Sequence, residues 1–114
     1  STENIPLKIV VFNNGNHGMV RQWQKIFYNN RFSASELTHH TPDYVKLAEA
    51  MGAVGLRMEQ KSEVKDVFEK MLEINDKPVL VDCVVDPEDM VFPMVPAGGS
   101  NDVIILNEED LKKL

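Results

Sequence analysis

The sequence has few cysteines, few basic residues and no long hydrophobic run, and each shortage excludes a class of protein. Its one cysteine, Cys83, cannot form an intrachain disulfide, so an oxidising compartment has no support. The 12 basic residues are outnumbered by 18 acidic ones, which argues against nonspecific binding to nucleic acid or to an anionic membrane. No apolar run approaches the roughly 20 residues that cross a bilayer, and the first residues do not resemble a signal peptide. We therefore expect a cytoplasmic protein that binds neither nucleic acid nor membrane.

The length and apolar content of the chain are sufficient for one small domain. It has 114 residues, of which 43% are hydrophobic, and a second domain would need more. We therefore predict a single domain over residues 1–114. The chain does not begin with methionine, so we expect a processed, tagged or excised piece.

Short apolar runs alternate with amphipathic segments along the chain. The pattern predicts strands at 7–12, 52–58 and 78–85, and helices at 19–28, 42–51 and 63–75. Thr41 and Ser62 are the expected caps of the second and third helices. Parallel strands need crossover connections, which the helices provide, and parallel sheets are normally covered on both faces. The sequence therefore predicts an α/β fold, a three-layer sandwich with a mainly parallel sheet.

The segment 13–23, Asn-Asn-Gly-Asn-His-Gly-Met-Val-Arg-Gln-Trp, is the most informative part of the sequence. It follows a predicted buried strand and opens a helix, which is where ligands bind in open α/β sheets. Two glycines allow close approach of an anion, and the amides at a helix N-terminus favour phosphate. Asn14 adds an oxygen donor of the kind that Mg²⁺ accepts. The alternative is a simple turn, since Asn-Gly is also a common turn dipeptide.

The stretch 8–23 resembles the second half of the thiamine-diphosphate motif, and most closely the motif of acetolactate synthase (acetohydroxyacid synthase) catalytic subunits. The double Asn, the Gly-Met-Val that starts four residues after Asn14, and the following Gln-Trp carry this resemblance. Further matches lie at 42–52, at 78–80 and in the tail 91–99, Val-Phe-Pro-Met-Val-Pro-Ala-Gly-Gly. The resemblance covers nearly the whole chain. It implies the C-terminal part of a thiamine-diphosphate-binding domain, that is, a partial thiamine-diphosphate-binding fold.

The resemblance also implies a cofactor and metal site in this loop. The Asn14 side chain and the Asn16 backbone carbonyl would hold Mg²⁺ on the diphosphate of thiamine diphosphate, with Gly18 and Met19 against the cofactor. His17 is a further cofactor-binding candidate, because it can donate to a phosphate or a carbonyl. From the residues alone, a solvated loop histidine is at least as good an interpretation.

A substrate pocket is implied at Met19, Trp23 and Ala97. Met19 and Trp23 match residues that line the pocket around the reactive ring and the second keto acid. They are four residues apart, so on a helix they share one face. Periodicity alone favours a core stripe for this pair, and the resemblance reverses that preference. Ala97 falls in a tail segment, 86–100, that the resemblance identifies as a lid over the entrance to the active site.

The activity that the resemblance implies is a thiamine-diphosphate- and Mg²⁺-dependent transfer, the condensation of pyruvate with a second 2-keto acid in branched-chain amino-acid biosynthesis. The complete enzyme would also bind FAD in a domain that is not in this chain. The implied partners are the remaining large-subunit domains, further copies in a homo-oligomer, and a regulatory small subunit.

Parts of the implied site have no match in this chain. The motif normally begins with Gly-Asp-Gly, whose Asp is the first metal ligand, and the catalytic Glu lies on another domain of a neighbouring subunit. We therefore expect the 114 residues alone to be inactive and to bind the cofactor weakly. Two alternatives stay open: another thiamine-diphosphate-dependent decarboxylase or oxidase, and a non-catalytic fragment that docks on a partner subunit through its sheet edge.

Overall fold

The computed structural model describes residue 3 and residues 5–37 and 40–113. Its elements, in chain order, are β1 (Lys8–Asn13), α1 (Gly18–Phe27), α2 (Tyr44–Ala50), β2 (Val54–Met58), α3 (Val64–Glu73) and β3 (Val79–Val84), with 3-10 helices at Lys61–Glu63 and Asp110–Lys113. The described residues form two compact units. The first contains the chain up to residue 15 and from 40 to 87, and the second contains 16–37 and the chain from 88 onward. That residues 1–114 form one domain stays a prediction.

The first unit is built on a three-stranded sheet in which β3 is the central strand. The strand order is β1-β3-β2, and both pairings are parallel. Val81 lies between Val10 of β1 and Leu56 of β2 in the register of the sheet. Val79 and Val81 of β3 are 0% exposed, as expected for a strand with neighbours on both sides. The three predicted strands and their parallel arrangement are confirmed.

Helices α2 and α3 cover opposite faces of this sheet. Met71 of α3 packs with Met58, Val79 and Val81 in the hydrophobic core. A Cβ built on Gly55 would point to the other face of β2 and would contact Val45 of α2. Side chains alternate between the two faces of a strand, so the two helices lie on different sides. The predicted three-layer α/β sandwich is confirmed for this unit.

The predicted cap of α2 is wrong by two residues. The N-cap is Asp43 rather than Thr41, and its Oδ1 accepts hydrogen bonds from the Val45 and Lys46 amides at 3.1 and 3.2 Å. A carboxylate that reaches two first-turn amides satisfies the helix start better than one hydroxyl. These hydrogen bonds lower the pKa of Asp43, chiefly the bond from the Lys46 amide.

The predicted cap of α3 is also wrong. Ser62 lies inside the 3-10 helix that precedes α3, and this helix starts with a capping box between Gln60 and Glu63. Glu63 Oε2 accepts from the amides of Glu59 and Gln60 at 2.8 and 2.9 Å, which lowers the pKa of Glu63. The helical turn therefore begins at Lys61, ahead of the residue whose hydroxyl was expected to begin it.

Among the described residues, no helix has both the length and the apolar character needed to cross a membrane.

Candidate cofactor-binding site

The candidate loop begins where β1 ends, at Asn13 in the first unit. The Asn13 side chain is held at both ends: its Nδ2 donates to Asp82 Oδ1 at 2.9 Å, and its Oδ1 accepts from the Gly15 amide at 3.0 Å. Gly15 has a φ of 68°, a left-handed conformation that glycine adopts without strain. Asn14 is half-buried and lies at the centre of this short turn. The first Asn of the pair is therefore a structural residue that shapes the turn around the second.

Asp82 connects this turn to an ion pair with Arg57, in which Asp82 is buried and Arg57 is partly exposed. It is 1% exposed, and its Oδ2 accepts from Arg57 Nε at 3.0 Å. Arg57 also donates to Asp43 Oδ1 at 3.1 Å, the carboxylate that caps α2. The hydrogen bond to Asp82 is the main reason that the pKa of Arg57 is raised. Sequence reasoning assigned no role to Asn13, Arg57 or Asp82, although a charged residue inside the apolar run of β3 was a signal that could have found this pair.

The next two residues lie in the second unit. Asn16 forms an isolated antiparallel bridge with Glu36. The His17 amide donates to the Ser35 carbonyl at 2.8 Å, and Ser35 is fully buried. The His17 side chain is exposed and makes no capping hydrogen bond to α1. The backbone of this segment is therefore tied down, while the imidazole faces solvent.

Helix α1 begins at Gly18 with an open N-terminus. Its N-cap, His17, provides no side-chain acceptor, and its first turn has no acidic residue. The first intrahelical bond runs from the Arg21 amide to the His17 carbonyl at 2.9 Å, so the amides of Gly18, Met19 and Val20 have no acceptor within the helix. Open amides and the positive end of the helix dipole make this terminus suitable for a phosphate group.

Met19 and Trp23 line one cavity of about 950 Å³ within the second unit. Val20, Gln24, Tyr28 and Phe32 complete most of its wall. Met19 is 50% exposed, which a core position would not be. Trp23 packs against Phe27, with the ring centroids 5.3 Å apart in an edge-to-face arrangement. The two predicted pocket residues therefore share one apolar surface beside the open end of α1, and their substrate role stays a prediction.

The start of the predicted lid segment 86–100 is anchored on α1. Gln22, only 4% exposed, accepts from the Val91 amide at 2.7 Å and donates to the Val91 carbonyl at 3.0 Å. Glu88 accepts hydrogen bonds from Arg21 and from Lys25, the latter at 3.1 Å. The segment up to residue 91 is therefore fixed by side chains of the helix itself.

The remainder of that segment forms a closed loop. Met94 and Ile105 exchange two backbone hydrogen bonds of 2.9 and 2.8 Å, which close the base of the loop 95–104. Ala97 lies at its turn, next to Gly98 with a φ of 78°. Among the described residues that line the cavity of Met19 and Trp23, Ala97 is not found. The structure thus brings Met19 and Trp23 together but does not place Ala97 with them, and the lid role stays a prediction.

We expect the anchoring of the tail at Glu88 to be lost in acid. Hydrogen bonds from Arg21 and then Lys25 lower the pKa of Glu88. A lowered pKa means that the contact stabilises the tail at pH values above the usual carboxyl value of about 4.3, and that this contribution is lost as the pH falls through the lowered value. The protection factors of the amides at residues 88–92, which are the exchange rates of an unfolded peptide at the same pH divided by those of the protein, should therefore fall in this acid range.

Glu88→Gln should show lowered protection factors at these amides already at pH 7, with little further change of the protection factors in acid. Glu69→Gln, which removes the exposed pair with Lys65 on α3, is the matched control and should leave the tail unchanged. Equal exchange in Glu88→Gln and the unmodified protein would contradict the anchoring role.

Cys83 is a buried-strand thiol rather than a nucleophile candidate. Burial, with a smaller contribution from the neighbouring Asp82 charge, raises the pKa of its thiol. At neutral pH it therefore stays protonated, and it behaves as a small apolar residue of β3.

Comparison with known proteins identifies the family of the chain. Residues 1–83 match the model of the thiamine pyrophosphate enzyme, C-terminal TPP-binding domain. An acetolactate synthase of Mycobacterium bovis is 51% identical over 107 residues, which are 91% of this chain and 17% of that protein. An acetolactate synthase large subunit of Corynebacterium glutamicum is 45% identical over 104 residues, 89% of this chain and 17% of that protein.

A solved structure supports the same assignment. The thiamine diphosphate-dependent 4-hydroxybenzoylformate decarboxylase of Rhodococcus jostii superposes with a TM-score of 0.67 at 25% identity, over 78% of this chain and 16% of that one. The chain thus spans about one sixth of the length of these proteins. It belongs to the family of C-terminal TPP-binding domains of thiamine pyrophosphate enzymes, and over most of its length it is similar to acetolactate synthase large subunits.

Proposed function

We propose that this chain forms part of the cofactor site of an acetolactate synthase, which condenses pyruvate with a second 2-keto acid for branched-chain amino-acid biosynthesis. The observation that carries this proposal is the open N-terminus of α1 directly after the Asn-Asn-Gly turn, in a chain of the TPP-binding family. The identity of about half of the aligned residues with acetolactate synthases supports this activity among those of the family.

The residues at the start of α1 fit a diphosphate. The first turn offers amides without a helical acceptor, no carboxylate that would repel an anion, and an exposed Gly18 that allows close approach. The exposed His17 adds a donor at the same place. Gly18, Met19 and His17 are therefore the residues that we assign to the cofactor.

Asn14 and Asn16 are the metal ligands in this proposal. Mg²⁺ prefers oxygen ligands and is often shared between protein and phosphate oxygens. The Asn14 amide oxygen and the Asn16 carbonyl are of this type, and the loop from 13 to 18 contains no carboxylate. The remaining protein ligand is an Asp outside this chain.

The chemistry of the reaction is supplied by the cofactor, and the chain contributes position and environment. When bound, thiamine diphosphate accepts the electron pair that decarboxylation of pyruvate releases. Met19 and Trp23 form an apolar wall that excludes water and orients the second keto acid. We assign the role of a lid over the entrance of the complete site to the loop 95–104, which carries Ala97.

The proposed partners follow from the same assignment. The chain acts with the remaining large-subunit domains, one of which binds FAD, in a homo-oligomer with a regulatory small subunit. The site is incomplete without them, because the catalytic Glu and the remaining metal ligand lie elsewhere.

Product analysis tests this proposal on the full protein that carries the chain. With pyruvate, thiamine diphosphate and Mg²⁺, we expect acetolactate as the product. Acetaldehyde as the only product would instead support a decarboxylase, the reaction class in the name of the Rhodococcus jostii protein.

Trp23→Leu is expected to raise the KM for the second keto acid about tenfold, because about 1.4 kcal/mol of apolar contact is lost from the cavity wall. Binding of thiamine diphosphate should change less than twofold. Trp23→Phe keeps an aromatic ring at the position and serves as the control, with a KM near that of the unmodified protein. An unchanged KM in Trp23→Leu would remove Trp23 from the acceptor site.

A further inference from the structure

A chain of three hydrogen bonds leads from Arg57 to the loop of Asn14, entirely within the first unit. Arg57 Nε donates to Asp82 Oδ2 at 3.0 Å, Asn13 Nδ2 donates to Asp82 Oδ1 at 2.9 Å, and the Gly15 amide donates to Asn13 Oδ1 at 3.0 Å. Asn13 and Asp82 are 69 residues apart in the sequence, so the fold itself creates this connection.

Each of these hydrogen bonds needs one donor and one acceptor, and this requirement permits only one orientation of the Asn13 side-chain amide. A guanidinium only donates and an ionised carboxylate only accepts. With Arg57 on one oxygen of Asp82, the other oxygen requires a donor, which is the amino group of Asn13. The Asn13 oxygen therefore points to the Gly15 amide and closes the turn around Asn14.

The burial of the Asp82 carboxylate indicates that its hydrogen bonds have a role other than stabilising the fold. Asp82 is 1% exposed in the central strand, where an apolar side chain would avoid the cost of desolvating a charge. The side chain of its partner Arg57 is 38% exposed, and ion pairs with an exposed member contribute little to stability. The ion pair thus adds little to stability, but it fixes the orientation of the Asn13 side chain.

We propose that Asp82 is a positioning residue, which orients Asn13 and thereby holds Asn14 ready to bind Mg²⁺ on the cofactor. This inference rests on the proposed function, since it concerns how the same site is organised. A ligand that is already held in its bound conformation loses less entropy on binding, so the affinity is higher.

The test uses variants of the full protein that exchange donors and acceptors in this series of hydrogen bonds. Asp82→Asn places an amide donor against either the Arg57 guanidinium or the Asn13 amino group. Asn13→Asp places two carboxylates in contact. The double variant Asp82→Asn with Asn13→Asp restores all three hydrogen bonds with the same net charge: the amide at position 82 accepts from Arg57 and donates to position 13, whose other oxygen accepts from Gly15.

Mg²⁺-dependent binding of thiamine diphosphate, measured by calorimetry, is the first readout. We expect each single variant to lose about 10- to 100-fold in affinity, as for groups that orient a metal ligand, and the double variant to recover to within about threefold. Asn13→Ala removes both links of Asn13 but leaves the Asp82–Arg57 pair intact, so it should remain folded and bind as weakly as the single variants. Asp43→Asn weakens the outer contact of Arg57 and keeps a side-chain oxygen that can cap α2, so it is the control and should bind normally.

The exchange rate of the Gly15 amide is the second readout and does not depend on the cofactor. It should increase in each single variant and in Asn13→Ala, and return to a slow rate in the double variant. Normal cofactor binding by the single variants, or no recovery in the double variant, would overturn the positioning role. If the unmodified protein bound no cofactor, the proposed function itself would fail, while Gly15 exchange would still show whether Asp82 orients the loop.

Discussion

Asn14→Ala is expected to weaken Mg²⁺-dependent binding of thiamine diphosphate by about 100-fold or more, because removing a metal ligand costs at least as much as removing a group that merely orients one. Asn14 supplies the only side-chain oxygen of this chain that we assign to the metal, and the loop from 13 to 18 has no carboxylate to replace it. Turnover should fall in parallel at limiting Mg²⁺ and recover in part at high Mg²⁺.

The matched control for this substitution is Asn75→Ala. Asn75 is an exposed residue after α3 whose side chain donates to the Glu73 carbonyl at 3.1 Å, so its removal should leave cofactor and metal binding unchanged. Titration calorimetry at several Mg²⁺ concentrations separates the two variants. If Asn14→Ala kept the affinity and the Mg²⁺ dependence of the unmodified protein, Asn14 would not be a ligand.

Gly55→Ala is expected to lower the free energy of unfolding by about 3 kcal/mol, at the upper end of the usual cost of overpacking. A Cβ at this position of β2 would lie 2.6 Å from the carbonyl oxygen and 2.8 Å from the Cα of Val45. Both are backbone atoms of α2, so no rotamer change relieves the contact and the helix must move away from the sheet. Urea unfolding followed by circular dichroism measures this loss.

Gly98→Ala is the control that separates steric overlap from the cost of losing a glycine. A Cβ on Gly98 would meet nothing within 4 Å, but its φ of 78° is unfavourable for alanine. We expect a loss of about 1 kcal/mol from that strain alone. Similar losses in the two variants would contradict the close packing of α2 on β2.

The strands and helices could be predicted because each segment carries its own period. The strands β1 and β3 are apolar runs because both faces of the sheet are covered. Helix α3 has amphipathic spacing because only one stripe of its surface is buried. The helix starts were less predictable, because Thr41, Asp43 and Ser62 are all acceptable caps by residue type. Which of them caps depends on where the backbone enters the helix, and Asp43 has the additional contact with Arg57.

The candidate site could be predicted only where its residues are close in the sequence. Met19 and Trp23 are four residues apart on one helix, so spacing alone places them on a common face. The contacts of Asn13 with Asp82 and of Gln22 with Val91 each join residues 69 positions apart, and no local pattern reports them. A glutamine inside an amphipathic helix is normally interpreted as solvent-facing. Gln22 is buried instead, because its side chain forms hydrogen bonds with both the amide and the carbonyl of Val91.

The most direct test of the central claim is to record the backbone amide resonances of Gly18, Met19 and Val20 while the full protein is titrated with thiamine diphosphate and Mg²⁺. If the diphosphate lies at the open end of α1, these three amides shift and exchange more slowly, and Asn14→Ala raises the cofactor concentration at which this occurs. Tight cofactor binding that leaves the three amides unchanged would contradict the account.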